Sequence, residues 1–422
     1  MGRTAVRVEN DLTENLEELQ LATIAAQAGF CNEENLINRT GHGKAICTAS
    51  VYEFESLEEY MASAHTSYRR FGHSNSDDMA HAIVCLESAE AGLATSSGMG
   101  AIVCTVLSLM KGGDTVLVHA DTNGGTNTFF DEHVRRFGMN VEFVDVLDVV
   151  TLETALSRCK DTGSGDSRVL IFFETITNPL LRVADVTAIS SVCKRFGALV
   201  VVDNTFGTPL RSKPLLQGAD VVVHSATKFL GGHNDLIAGA VVGSAKLVNQ
   251  AKAVAGCWGL TVSPFEAWLC TRSIRTLQIR LERAWTTSEK LAVRLRAEKH
   301  GILEVNSAPK CAVLSFLVVG GLHGVKTVIK TLGVIKFAPS LGGVTTTVSH
   351  PASDSHFDLR PEERERLGIH DGLIRLSVGI EDFEDISSDL LQAVRAAVVA
   401  TPEKEDTSHI RIDGDPSFPR CS

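Results

Sequence analysis

The segment Val221-Val222-Val223-His224-Ser225-Ala226-Thr227-Lys228-Phe229-Leu230-Gly231-Gly232-His233-Asn234-Asp235 decides how this chain is read. Three valines form a buried strand, two hydroxyls and an amine follow at once, and a glycine-rich turn closes the segment. Such a strand end is a place to hold a phosphate with an aldehyde beside it. Upstream, Ala198-Leu199-Val200-Val201-Val202 reads as a second strand, ending in Asp203-Asn204-Thr205. A carboxylate at the end of one strand and a lysine just past the next would flank one bound ring. The pair points to pyridoxal 5'-phosphate (PLP), with Lys228 as the Schiff-base lysine and Asp203 as the partner of the pyridinium nitrogen.

Outward from this pair, β-rich runs alternate with helical stretches. Strands are expected at Thr115–Val118, Val141–Val144, Val169–Phe173 and Ala238–Val242, and helices at Ala80–Glu90, Ala101–Met110, Phe129–Phe137 and Leu152–Arg158, with a loop at Lys160–Ser167. This alternation is the signature of a mostly parallel sheet covered on both faces. Ligands of such sheets sit beyond the carboxyl ends of the strands, where Asp203, Ser225, Thr227 and Lys228 all fall. Ser97-Gly98-Met99-Gly100 precedes an apolar helix, and a helix N-terminus with free N–H groups is an anion site. A long helical stretch, Trp268–Lys299, bridges to strands at Ala312–Val319 and Leu373–Val378 and an amphipathic helix at Asp382–Val399. The expected organisation is an N-terminal arm (1–75, helical near Phe54–Ala64), a PLP-binding α/β large domain (76–270), a small C-terminal domain (271–400) and a disordered tail (401–422).

The 422 residues are 44% hydrophobic and carry a net charge of -11, which gives no basis for a nucleic-acid or anionic-membrane partner. No run approaches the ~18 apolar residues of a membrane span. Ten cysteines without a C-x-x-C pair argue against a zinc knuckle or a disulfide framework and fit a reducing cytosol, so a cytoplasmic location is expected. His350 and His356 lack a third ligand, so no metal is expected. Gly41-His42-Gly43-Lys44-Ala45 is no P-loop, and Ser97 lacks a hydrolase elbow. Asn38-Arg39-Thr40 matches a glycosylation sequon by chance.

Read in order, Tyr68-Arg69-Arg70-Phe71-Gly72, Ser97-Gly98-Met99, Glu174 through Asn178-Pro179, Asp203-Asn204-Thr205-Phe206, His224 to Asp235, Ser340-Leu341-Gly342-Gly343, His350-Pro351-Ala352 and Ile374-Arg375-Leu376-Ser377-Val378-Gly379-Ile380-Glu381-Asp382 form a consistent set. Together they resemble the cystathionine γ-synthase/γ-lyase family of PLP-dependent Cys/Met-metabolism enzymes, over roughly residues 20–400. The resemblance implies an aspartate-aminotransferase-like α/β fold. It has a mostly parallel seven-stranded sheet in the large domain, a smaller α+β C-terminal domain and homotetrameric assembly. It also implies roles for single residues. Lys228 carries the cofactor and moves protons, Asp203 keeps the ring nitrogen protonated, and Thr205 packs near the ring. Ser225, Thr227 and the Gly98 and Met99 amides hold the phosphate, joined by Tyr68 and Arg70 of a neighbouring subunit. Arg375 clamps the substrate carboxylate, assisted by Ser340 and Asn178.

The chain departs from the family at chosen points. Asn123 stands where the family usually has a ring-stacking tyrosine implicated in proton handling, and an amide supplies no phenolic acid. Thr345 stands where most members carry a glutamate linked to the distal amine of cystathionine. His73-Ser74-Asn75 replaces Asn-Pro-Thr, and Gly125 stands where methionine γ-lyases carry a cysteine. The activity expected from the resemblance is γ-replacement on an O-acyl-homoserine by a thiol, as in transsulfuration and methionine biosynthesis. The rivals are γ-elimination from cystathionine, a carbon or nitrogen nucleophile, and a non-catalytic PLP-binding paralogue.

Overall fold

The computed structural model describes residues 20–28, 43–62, 67–162, 167–357 and 359–401. The sequon at Asn38, the first part of the arm and the tail after residue 401 lie outside them.

Seven strands form the larger sheet: β1 (Ala91–Thr95), β2 (Thr115–His119), β3 (Asn140–Val144), β4 (Val169–Glu174), β5 (Leu199–Asp203), β6 (Val221–Ser225) and β7 (Gly239–Gly243). Their order is β1-β7-β6-β5-β4-β2-β3. The pairs from β6 through β5, β4 and β2 to β3 are parallel, and β7 runs antiparallel to both its neighbours. The central runs are apolar without alternation because both faces are covered. Ile171, Phe173, Val200, Val202 and Val222 join one core, while Leu170, Phe172, Val201, Val221 and Val223 join the other. Neighbours in sequence thus point to opposite faces, and each finds an apolar partner.

A second sheet contains β8 (Ile302–Ser307), β9 (Val313–Val318), β10 (Lys336–Phe337), β11 (Thr347–Ser349) and β12 (Leu373–Ser377), in the order β10-β11-β12-β9-β8. Arg375 lies in the middle of β12, opposite Ser349 on one side and Ser315 on the other. The helix Phe383–Ala400 packs on the helix Gly321–Thr331 beside this sheet.

Several boundaries differ from those expected. The stretch Trp268–Lys299 is two helices, Pro264–Ile274 and Leu277–Ala297, rather than one. The chain turns at Arg275-Thr276, and Ser273 O accepts bonds from Thr276 N (3.1 Å) and Arg280 Nη2 (3.0 Å). A buried arginine thus serves a carbonyl that the break frees from the helical ladder. The helix expected from Ala80 begins at Ser74, where the His73 ring accepts from Ser76 N at 3.1 Å. The helix expected from Phe129 begins at Gly124 and widens into a π-helical segment over Phe129–Val134. The helix expected at Leu152–Arg158 spans Val149–Thr162, so the loop expected from Lys160 starts later.

Candidate active site

The carboxyl ends of β4, β5 and β6 open onto a cavity of about 380 Å³. Gly98, Met99, Asn178, Asp203, Thr205, Ser225, Thr227, Lys228, Ser340 and Arg375 all line it. Tyr68 and Arg70 do not. They border a separate surface cleft with Thr261 and Pro264, where Arg70 Nη1 donates to Gly256 O at 2.6 Å.

Lys228 follows β6 directly, and its amine donates to Ser340 Oγ at 2.7 Å. Burial, and then the positive charge of Arg375, push that amine down to about 8. Ser340 has φ 74°, a left-handed conformation that favours glycine. Held in it, Ser340 offers its hydroxyl to Lys228 and its carbonyl to Arg375 Nη2 at 2.8 Å. The other arm of the guanidinium, Nη1, donates to Asn178 Oδ1 at 3.0 Å. Two fixed acceptors from distant segments thus aim a buried arginine.

At the sheet ends, Glu174 and Asp203 are register partners on β4 and β5. Burial raises both carboxyls, and for Glu174 the neighbouring Asp203 charge adds to the effect. Hydrogen bonds from Thr205 oppose the rise at Asp203, Thr205 N donating to Asp203 Oδ1 at 2.8 Å. Thr205 Oγ1 in turn accepts from Ser225 N at 2.8 Å, tying β5 to β6.

The fourth wall is the start of the helix Gly98–Leu109. Ser97 Oγ accepts from Gly100 N at 2.9 Å, which caps one amide and leaves those of Gly98 and Met99 at the cavity wall. Gly98 permits this approach, since a Cβ there would lie 2.7 Å from Ser225 Cβ. Ser225 Oγ has no hydrogen-bond partner among the described residues. Thr227 Oγ1 differs from expectation, because it donates to Ala238 O at 3.2 Å and accepts from Ala238 N at 3.1 Å. Thr227 lines the cavity all the same.

These groups fit PLP. A desolvated amine, an acid at a strand end suited to a cationic ring nitrogen, and free amides at a helix N-terminus face one space. Among the lining residues to which the sequence assigns no role are Glu174, Asp354 and Ser355. Glu174 was visible only as part of a motif. Asp354 and Ser355 carried no local signal, because they reach the cavity by tertiary folding alone. The loop that carries them lies against the Asn123 wall so closely that a Cβ on Gly124 would collide with the Ser355 carbonyl.

A mostly parallel α/β sheet with this site defines a PLP-dependent enzyme. The family model described as Cys/Met metabolism PLP-dependent enzyme matches residues 22–395, and the chain belongs to that family. It is 35% identical over 406 residues to L-methionine gamma-lyase of Treponema denticola, covering 90% of this chain and 98% of the relative. It is 33% identical over 405 residues to O-succinylhomoserine sulfhydrylase of Pseudomonas aeruginosa, covering 91% and 98%. Among solved structures, cystathionine gamma synthase from Xanthomonas oryzae pv. oryzae, in complex with aminoacrylate and cysteine, superimposes with a TM-score of 0.83 at 33% identity. That match covers 91% of this chain and 99% of the other. Among the described residues, no helix is long and apolar enough to cross a membrane.

The low position of the Lys228 amine gives a pH prediction. Cofactor capture by the cofactor-free protein requires the neutral amine. Its rate, followed by absorbance, should rise with pH up to about 8 and level off beyond. A lysine at its usual value of 10.5 would give a rate still rising through pH 9 and 10.

Proposed function

We propose that the chain catalyses γ-replacement on an O-acyl-homoserine by a thiol. Bound PLP supplies an electron sink for the bonds at Cα. Arg375 binds the substrate α-carboxylate, oriented by Asn178 and the Ser340 carbonyl. Lys228, steadied by Ser340 Oγ, takes and returns the protons at Cα and the carbon beyond it. Asp203 holds the ring-nitrogen proton. The Gly98 and Met99 amides and the Ser225 hydroxyl bind the phosphate, with Thr227 buttressing the lysine turn. Tyr68 and Arg70 complete the phosphate site of a neighbouring subunit in a homotetramer.

The observation that carries replacement over elimination is Asn123 on the cavity wall. Its Oδ1 accepts from Gly125 N at 3.1 Å and its backbone N–H donates to Glu174 Oε1 at 3.0 Å. An amide neither gives nor takes a proton in this range. An acyl group departs as a carboxylate whose conjugate acid has a pKa of about 4, whereas a thiol sits near about 8.5 and needs a proton donor. A wall without a phenol therefore suits an ester substrate better than a thioether.

Incubation of PLP-loaded protein with O-acetyl- or O-succinyl-homoserine, with and without cysteine, tests this. Thioether should dominate when thiol is present. Keto acid released at one rate regardless of thiol, or faster from cystathionine or methionine than from the esters, would establish γ-elimination instead. Asn123→Tyr should raise elimination from thioethers by about tenfold or more, up to the roughly 10²–10⁴-fold of a fully positioned acid. The same change removes the Gly125 cap, at a cost of about 0.5–2 kcal/mol of stability. A thermal melt beside the keto-acid assay separates the two effects.

A further inference from the structure

Three carboxylates line the cavity: Glu174, Asp203 and Asp354. The first two lie at the strand ends and accept backbone hydrogen bonds from Asn123 and Thr205. Asp354 differs on each count. It follows the short turn Pro351–Ser353 at the rim, and its side chain is 34% exposed. Among the described residues no donor lies within hydrogen-bonding distance of its carboxylate, and its one ion contact is Arg375 Nη2 at 3.9 Å.

That distance decides between two roles. A carboxylate standing in for the substrate's own would take the guanidinium's hydrogen bonds. Here those bonds go to Asn178 and Ser340, and Asp354 stays outside them. Its acceptors remain available to a ligand, a few ångströms from where the amino-acid carboxylate is anchored. A second anion beside Arg375 disfavours a further negative group there and favours a positive one.

We propose that Asp354 is a specificity-determining residue that binds the ammonium group of the incoming nucleophile, so that the preferred co-substrate is an amino-acid thiol and not sulfide or an amine-free thiol. The proposal rests on the replacement reading for its substrate, and it adds the chemical class of the nucleophile. The Cγ–O bond breaks as the acyl group leaves as a carboxylate, the thiol sulfur then bonds to Cγ while its S–H proton passes to solvent, and the ammonium is retained in the product as its distal charge. Asp354 contacts only that charge and takes no part in proton transfer.

The test has two arms. In the first, Asp354→Asn, nearly isosteric, is assayed with one homoserine ester and either cysteine or 3-mercaptopropionate, which lacks the amine. KM for cysteine should rise by about tenfold, the scale of one hydrogen bond to a charged group, while KM for 3-mercaptopropionate stays level or falls. Asp354→Glu, which keeps the charge, should retain part of the preference. The second arm needs no turnover. Absorbance titration of PLP-loaded protein should show ornithine, with a distal ammonium, binding more tightly than norvaline of equal chain length, and Asp354→Asn should remove the difference. Equal weakening of both thiols, or no ornithine preference in the wild type, would overturn the proposal. If no homoserine ester reacts yet the ornithine preference depends on Asp354, the replacement reading fails and the ammonium site stands.

Discussion

Lys228→Ala should cut turnover by about 10²–10⁴-fold, the range for loss of a positioned proton-transfer group. After borohydride treatment it should leave no cofactor attached to the peptide spanning residue 228. The amine is buried, sits 2.7 Å from Ser340 Oγ, and feels the charge of Arg375. An alanine there leaves nothing to move a proton at Cα. A stability measurement distinguishes this from general damage. The folded amine titrates near 8 and an ordinary one near 10.5. Below about pH 8 the cofactor-free wild type carries the cost of charging a buried lysine. Between about 8 and 10.5 the unfolded chain binds the extra proton, so wild-type stability rises with pH, and above that the effect is spent. Denaturation midpoints of cofactor-free wild type and Lys228→Ala should therefore shift in the wild type's favour across that window. Parallel curves, or full activity in the variant, would remove Lys228 from its assigned role.

What was legible in the sequence follows from how locally each feature is specified. β4, β5 and β6 were read from their own residues, because strands buried on both faces must be continuously apolar, and the polar residues that end them mark the ligand side. β1 escaped notice. Ala91-Gly92-Leu93-Ala94-Thr95 has small side chains, and Gly92 is needed where a Cβ would lie 2.6 Å from a Val84 methyl. Its strand character comes from pairing with β7, a partner far along the chain. β10 and β11 are two and three residues long and have no periodicity to read. The break at Arg275-Thr276 was hidden for a related reason. Neither glycine nor proline marks it, and the turn is held by Arg280 bonding back to Ser273, Phe229 and Leu230. The same division runs through the site. Asp203, Ser225 and Lys228 sit on strand ends and were visible as such. Ser340 and Arg375 came through resemblance, since their meeting with Lys228 joins segments more than a hundred residues apart. Asp354, placed by a loop folding back over Asn123 and Gly124, had no signal at all.

Arg375→Ala should raise KM for the amino-acid substrate by about 10²-fold or more, since truncating one member of a buried, hydrogen-bonded charge pair costs about 2–5 kcal/mol. The loss has two sources. The substrate carboxylate loses its countercharge, and Asn178 Oδ1 and Ser340 O lose the donors that satisfied them at 3.0 and 2.8 Å. Cofactor loading should be unchanged, because Arg375 belongs to β12 of the second sheet and is none of the groups assigned to the cofactor. Arg375→Lys should recover little. Nη1 and Nη2 serve two acceptors on different segments at once, and a single ammonium cannot span both while also meeting a carboxylate. Removal of the charge also relieves the pressure on Lys228, whose amine the guanidinium helps hold down. The pH at which cofactor capture levels off should therefore move up in Arg375→Ala and stay near the wild-type position in Arg375→Lys. A variant that fails to hold PLP, or one whose KM is unaltered, would show that this arginine serves the fold and not the substrate.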